Sequence, residues 1–259
     1  MSVLTEILAR KRQRLAEAKA NVPVEGIRER IKPGSHRFLT AMQRDAVNVI
    51  AEFKRRSPSK GIIRADVDAL SMARCYEAGG AAAISVLTEE DYFAGSLDDL
   101  RSVKSVVALP VLRKDFVFDD YQIYEAAAAG ADAVLLIVTA LDDEQLSRLR
   151  KLAEDNLGLD ALVEVHDSGE MNRATAAGAK LVGVNNRNLH TFDVSLQTSV
   201  TLSDIAPKGS TLISESGLNS AADLQRLYEA GYRGFLIGET LMRADDPAAA
   251  LRGFRNDAR

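Results

Sequence analysis

Two ionisable side chains stand two residues apart in an otherwise apolar run, Val49-Ile-Ala-Glu52-Phe-Lys54. On an element of period two they point the same way, and a buried structural strand has no use for such a pair. The loop that follows, Arg55-Arg56-Ser57-Pro58-Ser59-Lys60-Gly61, is basic and polar, with Pro58 and Gly61 setting turns. A substrate-facing end suits the tip of this strand. Similar tips recur downstream: Lys114-Asp115 after Val111-Leu112, Glu164 between Val163 and Val165, Asn185 and Arg187 after Val184, and Glu215-Ser216 after Ile213. Carboxylates beside lysines suit proton transfer and the stabilisation of developing charge. The competing reading of Glu52 and Lys54 is a structural ion pair, and that of Lys114-Asp115 a polar strand rim. Glu164, set among apolar residues, resists such a reading. His166 and His190 read as hydrogen-bonded loop histidines rather than bases. A Schiff-base role for Lys54 or Lys114 stays open.

Two further loops suit a phosphate. Ser214-Glu-Ser-Gly217-Leu-Asn-Ser precedes a helix, and Leu236-Ile-Gly238-Glu-Thr precedes a short one beginning near Thr240. Glycine lets backbone N–H groups approach an anion, a helix N-terminus favours negative charge, and the Ser216 hydroxyl adds a donor.

These groups must be positioned by a scaffold, and the pattern around them supplies one. Apolar runs at 49–54, 81–87, 110–116, 133–138, 161–166, 181–186, 211–215 and 234–238 alternate with helical patterns at 69–78, 97–106, 120–129, 143–156, 168–177, 196–205 and 221–230. Strands joined by helices predict a parallel sheet. Four helices end in related words, Glu77-Ala-Gly-Gly80, Ala129-Gly-Ala-Asp132, Ala177-Gly-Ala-Lys180 and Glu229-Ala-Gly-Tyr232, with the glycine that a helix takes where it turns back. The repeat favours a closed (β/α)8 TIM barrel, whose active site lies at the C-terminal strand ends. No GxGxxG word follows the first strand, so a dinucleotide fold lacks its signature. Residues 1–48 read as an N-terminal helical extension packed on the barrel of 49–259, with helices over 4–20 and 24–31 and apolar anchors at Phe38, Leu39, Met42 and Val47. The basic run Ala9-Arg-Lys-Arg-Gln-Arg14 reads as a solvated helical face.

Composition closes off several classes. A net charge of -4 offers no general field for nucleic acid. One cysteine, Cys75, excludes an internal disulfide and a cysteine zinc cluster, and three histidines without metal-ligand spacing argue against a metal centre. The N-terminus lacks an apolar signal core, and no stretch is long enough to span a membrane. These features predict a cytoplasmic protein that binds no membrane. The mixed surface charge is compatible with a monomer.

Glu52-Phe-Lys54-Arg-Arg-Ser57-Pro-Ser, Ser85-Val-Leu-Thr-Glu-Glu-Asp-Tyr-Phe93-Ala-Gly-Ser, Leu112-Arg-Lys114-Asp-Phe116, Gly183-Val-Asn185-Asn-Arg187-Asn-Leu and Ser214-Glu-Ser-Gly217 together resemble the indole-3-glycerol phosphate synthase family. That resemblance spans essentially the whole chain. It implies conversion of 1-(2-carboxyphenylamino)-1-deoxyribulose 5-phosphate into indole-3-glycerol phosphate, carbon dioxide and water in tryptophan biosynthesis, with no cofactor and no metal. It assigns Lys114 as the acid that protonates the ribulose carbonyl oxygen. Glu164, Lys54 and Glu52 carry the later proton transfers, their division unfixed, and Asn185 holds a hydroxyl or amine. Ser57, Ser216, Gly217 and Gly238 resemble a phosphate grip, Glu215 a holder of sugar hydroxyls and Arg187 a charge near the anthranilate carboxylate. Phe93, Phe116, Leu135, Leu189 and Ile237 would wall the aryl pocket. Glu239 stands where some members carry serine, so its carboxylate is expected to point away from the phosphate. The extension is expected to lie across the active-site face. The alternatives are another phosphosugar barrel enzyme, an aldolase or isomerase, or a noncatalytic phosphosugar-binding protein.

Overall fold

The computed structural model describes residues 3–188 and 191–256. Eight strands, β1 (Asn48–Phe53), β2 (Ala83–Leu87), β3 (Val111–Lys114), β4 (Ala133–Ile137), β5 (Asp160–Val165), β6 (Leu181–Asn185), β7 (Thr211–Glu215) and β8 (Tyr232–Ile237), close into one barrel in chain order. Every neighbouring pair is parallel, including the β1–β8 closure. The expected TIM barrel is therefore the observed one.

Period-two alternation on each strand divides its side chains between two apolar layers. Val49, Ala51 and Phe53 of β1 face the surrounding helices, whereas Ile50 belongs to a separate inner cluster with Leu112, Leu135, Leu162, Leu181, Ile213 and Leu236. Following each inward row upward gives Ile50 then Glu52, Leu112 then Lys114, Leu162 then Glu164, Leu181 then Gly183 and Asn185, and Ile213 then Glu215. The lower interior is thus apolar packing, and one pleat repeat further along the same face carries polar groups.

The helices between strands are α4 (Ala69–Gly79), α5 (Leu97–Val106), α6 (Asp120–Ala128), α7 (Asp143–Lys151), α8 (Ser168–Ala176), α9 (Gln197–Ser203) and α10 (Ala221–Glu229). Aspartate or serine side chains cap most of their starts: Asp68, Ser96, Asp119, Asp142, Asp167 and Ser220 each accept a first-turn N–H. Each of the four recurring words carries a glycine in the left-handed region, with φ of 85° at Gly80 and Gly130, 74° at Gly178 and 98° at Gly231. The segment expected to be helical over 143–156 changes to a π turn at Leu152–Asn156. The expected helix over 24–31 stops at Arg28. Helices α11 (Glu239–Arg243) and α12 (Pro247–Asn256) complete the ring. Among the described residues no helix is long and apolar enough to cross a membrane.

Before the barrel come α1 (Val3–Asn21), α2 (Val24–Arg28) and α3 (Arg37–Met42). The last of these plugs the barrel's N-terminal mouth. Phe38 and Met42 are fully buried in the inner cluster, and Asp160 at the base of β5 accepts the Leu39 N–H (2.8 Å) and pairs with His36 Nδ1 (2.8 Å). Helix α1 lies at the opposite end. Its basic run is not a uniformly solvated face: Lys11 is buried, bound to Asp115 at 2.8 Å and Glu90 at 3.3 Å, while Arg14 grips Asp91. Its position, four residues from both Ile7 and Leu15, places it on the helix's apolar stripe.

Candidate active site

A cavity of about 1000 Å3 opens at the C-terminal ends of the strands, roofed by Val3, Leu4 and Ile7 of α1. Its floor is organised by one ammonium. Lys114 Nζ on β3 lies 2.6 Å from Glu215 Oε2 of β7, 3.7 Å from Glu164 Oε2 of β5 and 3.9 Å from Glu52 Oε2 of β1. The other Glu52 oxygen holds Lys54 Nζ at 2.5 Å. Asn185 on β6 donates to Glu164 Oε1 (3.2 Å) and accepts from the Ser216 hydroxyl (2.9 Å) and the Arg187 N–H (3.0 Å). All five residues expected to be catalytic therefore meet around this floor.

Burial and charge act in opposition here, and their balance differs at each group. Burial disfavours the charged form of Lys114, yet Glu215, Glu164 and Glu52 more than offset it and push its pKa well up. Glu52 is likewise penalised by burial, but Lys54 and Lys114 hold its pKa below the ordinary carboxylate value. Glu164 is brought down to about 2 against its burial by His166, Lys114 and Asn185. Glu215 goes the other way. Burial, with the nearby Glu164 and Glu52, outweighs Lys114 and pushes it up to about 7. Neighbouring carboxyls with pKa values driven apart are what acid–base chemistry needs near neutral pH.

Two glycines make room for this cluster. A Cβ at Gly183 would collide with the Glu215 carboxylate, and one at Gly238 with that of Glu52. Gly238 thus serves the carboxylate as well as lying beside the expected phosphate loop. The loop after β7 takes the left-handed region at Ser216 (φ 66°) and Gly217 (φ 78°). It is held there by Asn186, whose Nδ2 reaches Ser214 Oγ (2.9 Å) and the carbonyls of Glu215 (3.0 Å) and Ser216 (3.1 Å).

The remaining expected binding residues surround the same space. Ser57, Phe93, Phe116, Leu135, Arg187, Ser216, Gly217, Ile237 and Gly238 all border the cavity, and the rings of Phe93 and Phe116 are 6.1 Å apart. Ile237 packs in the outer layer, and the inward side chain of β8 is Leu236. Arg187 donates to the Phe192 carbonyl at 3.1 Å. Leu189 and His190 lie outside the described residues. The Glu239 carboxylate is drawn to Arg243 (3.1 Å) and Lys60 (3.8 Å).

Asp115, one residue beyond the central lysine, is not a polar rim. It is buried and bound by Lys11, by Arg113 (3.0 Å), by the Thr88 hydroxyl (2.6 Å) and by the Phe116 N–H (2.8 Å). Glu89, fully buried, accepts the N–H groups of Asp91, Tyr92 and Phe93 and so shapes the loop that carries Phe93. Neither role has a local sequence signal beyond an acidic residue at a strand end.

A TIM barrel with an ammonium set among carboxylates at its C-terminal mouth is a barrel enzyme of the acid–base class. The family model for indole-3-glycerol phosphate synthase matches residues 4–254, and the chain belongs to that family. The indole-3-glycerol phosphate synthase of Carboxydothermus hydrogenoformans is 45% identical over 258 residues, covering 96% of this chain and 97% of that one. Among solved structures, a 3-hexulose-6-phosphate synthase shares the fold with a TM-score of 0.66 at 18% identity, covering 82% of this chain and 100% of the other. The KGPDC of Streptococcus mutans does so with a TM-score of 0.63 at 16% identity, over 83% and 98%.

Proposed function

We infer that this lyase closes, decarboxylates and dehydrates 1-(2-carboxyphenylamino)-1-deoxyribulose 5-phosphate to indole-3-glycerol phosphate. The observation that carries the chemistry is Lys114 at the cavity floor, facing Glu215, Glu164 and Glu52. As the aryl ring carbon attacks the ribulose carbonyl, negative charge grows on its oxygen. The Lys114 ammonium stabilises that oxygen and donates its proton. The resulting ring cation loses carbon dioxide, and the electrons of the breaking bond restore aromaticity. Water then leaves: an acid protonates the departing hydroxyl while a base takes a proton from the adjacent ring carbon. Glu164, kept ionised, is the base, and the Lys54 ammonium is the acid. Glu52 braces both lysines, and Asn185 orients Glu164 through its amide.

An ammonium held charged by carboxylates is a poor nucleophile, which counts against an aldolase that forms an imine through Lys114. In this reading Ser57, Ser216, Gly217 and Gly238 hold the phosphate, Glu215 the sugar hydroxyls, and Arg187 the anthranilate carboxylate. The apolar walls Phe93, Phe116 and Leu135 flank the aryl ring. Residues 1–48 act as the N-terminal extension, of which α1 roofs the pocket and α3 closes the opposite mouth, and 49–259 act as the catalytic barrel. The protein works as a cytoplasmic monomer on a phosphorylated small molecule. The test is turnover of that substrate in chelator-treated buffer, followed by indole fluorescence and by released carbon dioxide. The reading requires equal amounts of both products, and a folded protein that binds the substrate without forming either would refute it.

A further inference from the structure

His166 is a titratable side chain beside Glu164 that the steps above leave unused. It follows β5 by one residue, so it shares the phase of Glu164 on the same alternating backbone. Its Nδ1 lies 3.0 Å from Glu170 Oε2 on α8, and the same oxygen accepts the His166 backbone N–H at 2.8 Å. The other Glu170 oxygen accepts the Thr139 hydroxyl. The ring is thereby fixed at one nitrogen. Its Nε2 stands 3.3 Å from Glu164 Oε1, within ion-pair reach but off hydrogen-bond alignment, and is buried with no hydrogen-bond partner among the described residues. The Glu164 oxygen that faces the ring also receives Asn185, while the opposite oxygen faces Lys114.

We propose that His166, clamped by Glu170, is a positioning residue whose imidazolium holds the Glu164 carboxylate ionised and aimed at Lys114. This rests on the reading of Glu164 as the base. The geometry gives the ring a carboxylate at each nitrogen, an arrangement that favours protonation of both. Burial works against that charge, but the two carboxylates prevail and push His166 up to about 10. The other charged groups around Glu164 are Lys114, which supports its ionisation, and Glu52 and Glu215 beyond that lysine, which oppose it. Lys54 is engaged by Glu52. Removing the imidazolium therefore leaves Lys114, shared among three carboxylates, as the remaining cation close to Glu164.

Three histidines in the chain make the charge state directly readable. Nitrogen-15 spectra of the histidine rings at pH 8, with the His166→Gln variant identifying the signal, are expected to show His166 protonated at both nitrogens. A neutral His166 ring at pH 8 would overturn the proposal. In kinetics, His166→Gln is expected to lower kcat while KM holds, and to move the acid limb of the pH profile upward by about one to three units. Glu170→Gln shifts it in the same direction by less. A purely structural role would lower thermal stability and leave the limb in place, so superimposable profiles would also overturn it. Glu164→Gln separates the two claims. Full turnover by that variant refutes Glu164 as the base, and the ring spectrum still decides whether His166 is the cation facing it.

Discussion

Replacing Lys11 with methionine tests how the N-terminal helix is held over the active site. Lys11 and Asp115 are both buried, 2.8 Å apart, and link α1 to the residue next to Lys114. Breaking a buried pair costs about 3–5 kcal/mol when the surviving charge is left alone. Asp115 is not left alone, because Arg113, Thr88 and the Phe116 N–H still bind it, so the lower end, about 3 kcal/mol, applies. Among the described residues, the other charged ties of α1 to this end of the barrel, Arg10 and Arg14 to Asp91 and Lys19 to Asp119, are partly exposed and worth about 1 kcal/mol or less each. The loss should therefore appear as undocking of α1 and not as collapse of the barrel. At about 1.4 kcal/mol per decade, hydrogen exchange of α1 amides should accelerate roughly a hundredfold, while amides of β3 to β6 keep their protection. KM should rise as Val3, Leu4 and Ile7 withdraw from the pocket roof. The pH dependence has a definite sign. Burial alone would raise the Asp115 pKa, but Lys11 and Arg113 hold it well below its ordinary 3.8. The stability it contributes is present above that value and lost as pH falls below it, so the gap between wild type and variant narrows in acid. Unchanged α1 exchange, or equal acceleration in α1 and the barrel strands, would show that the Lys11–Asp115 pair does not hold α1 in place.

Three further outcomes follow from the same geometry. Gly238→Ala has an unstrained backbone (φ -118°) but places a Cβ against Glu52; steady-state kinetics should show kcat reduced about a hundredfold in a folded protein, the scale expected for a displacement near 1 Å. Phe38→Ala empties a fully buried site at the barrel's base, costing about 3–5 kcal/mol, which corresponds to a melting temperature lower by roughly 6–20 °C, with kcat at 25 °C preserved. For His166→Gln, thermal melts should differ most from wild type below pH 6.5 and converge as pH rises toward about 10, because a raised folded pKa contributes stability that is lost through that value.

Much of this was legible in the chain because alternation is a local property. Glu52 and Lys54 on an apolar run, and Glu164 between two valines, declare an inward polar row without knowledge of any partner. The glycine words at helix ends likewise mark each return to a strand, and all four adopt the left-handed conformation that makes glycine useful there. What local pattern does not encode is convergence. Lys114 and Glu215 are 101 positions apart, and only barrel closure shows that one ammonium serves three carboxylates. Lys11 illustrates the opposite case: its place between Ile7 and Leu15 on the buried stripe was visible, but the surrounding arginines suggested a solvated face. His166 was visible as a loop histidine, and its significance depends on Glu164 before it and on Glu170 in the first turn of α8.

In the proposed reaction Lys114 drives the chemistry while the rest of the pocket binds the substrate. Single-turnover indole fluorescence for Lys114→Ala, alongside calorimetric titration with 1-(2-carboxyphenylamino)-1-deoxyribulose 5-phosphate, tests it most directly. Binding should be retained while the chemical step slows by about a thousandfold, the scale of a lost charge-stabilising donor. Product formation at the wild-type rate by the folded variant would contradict it.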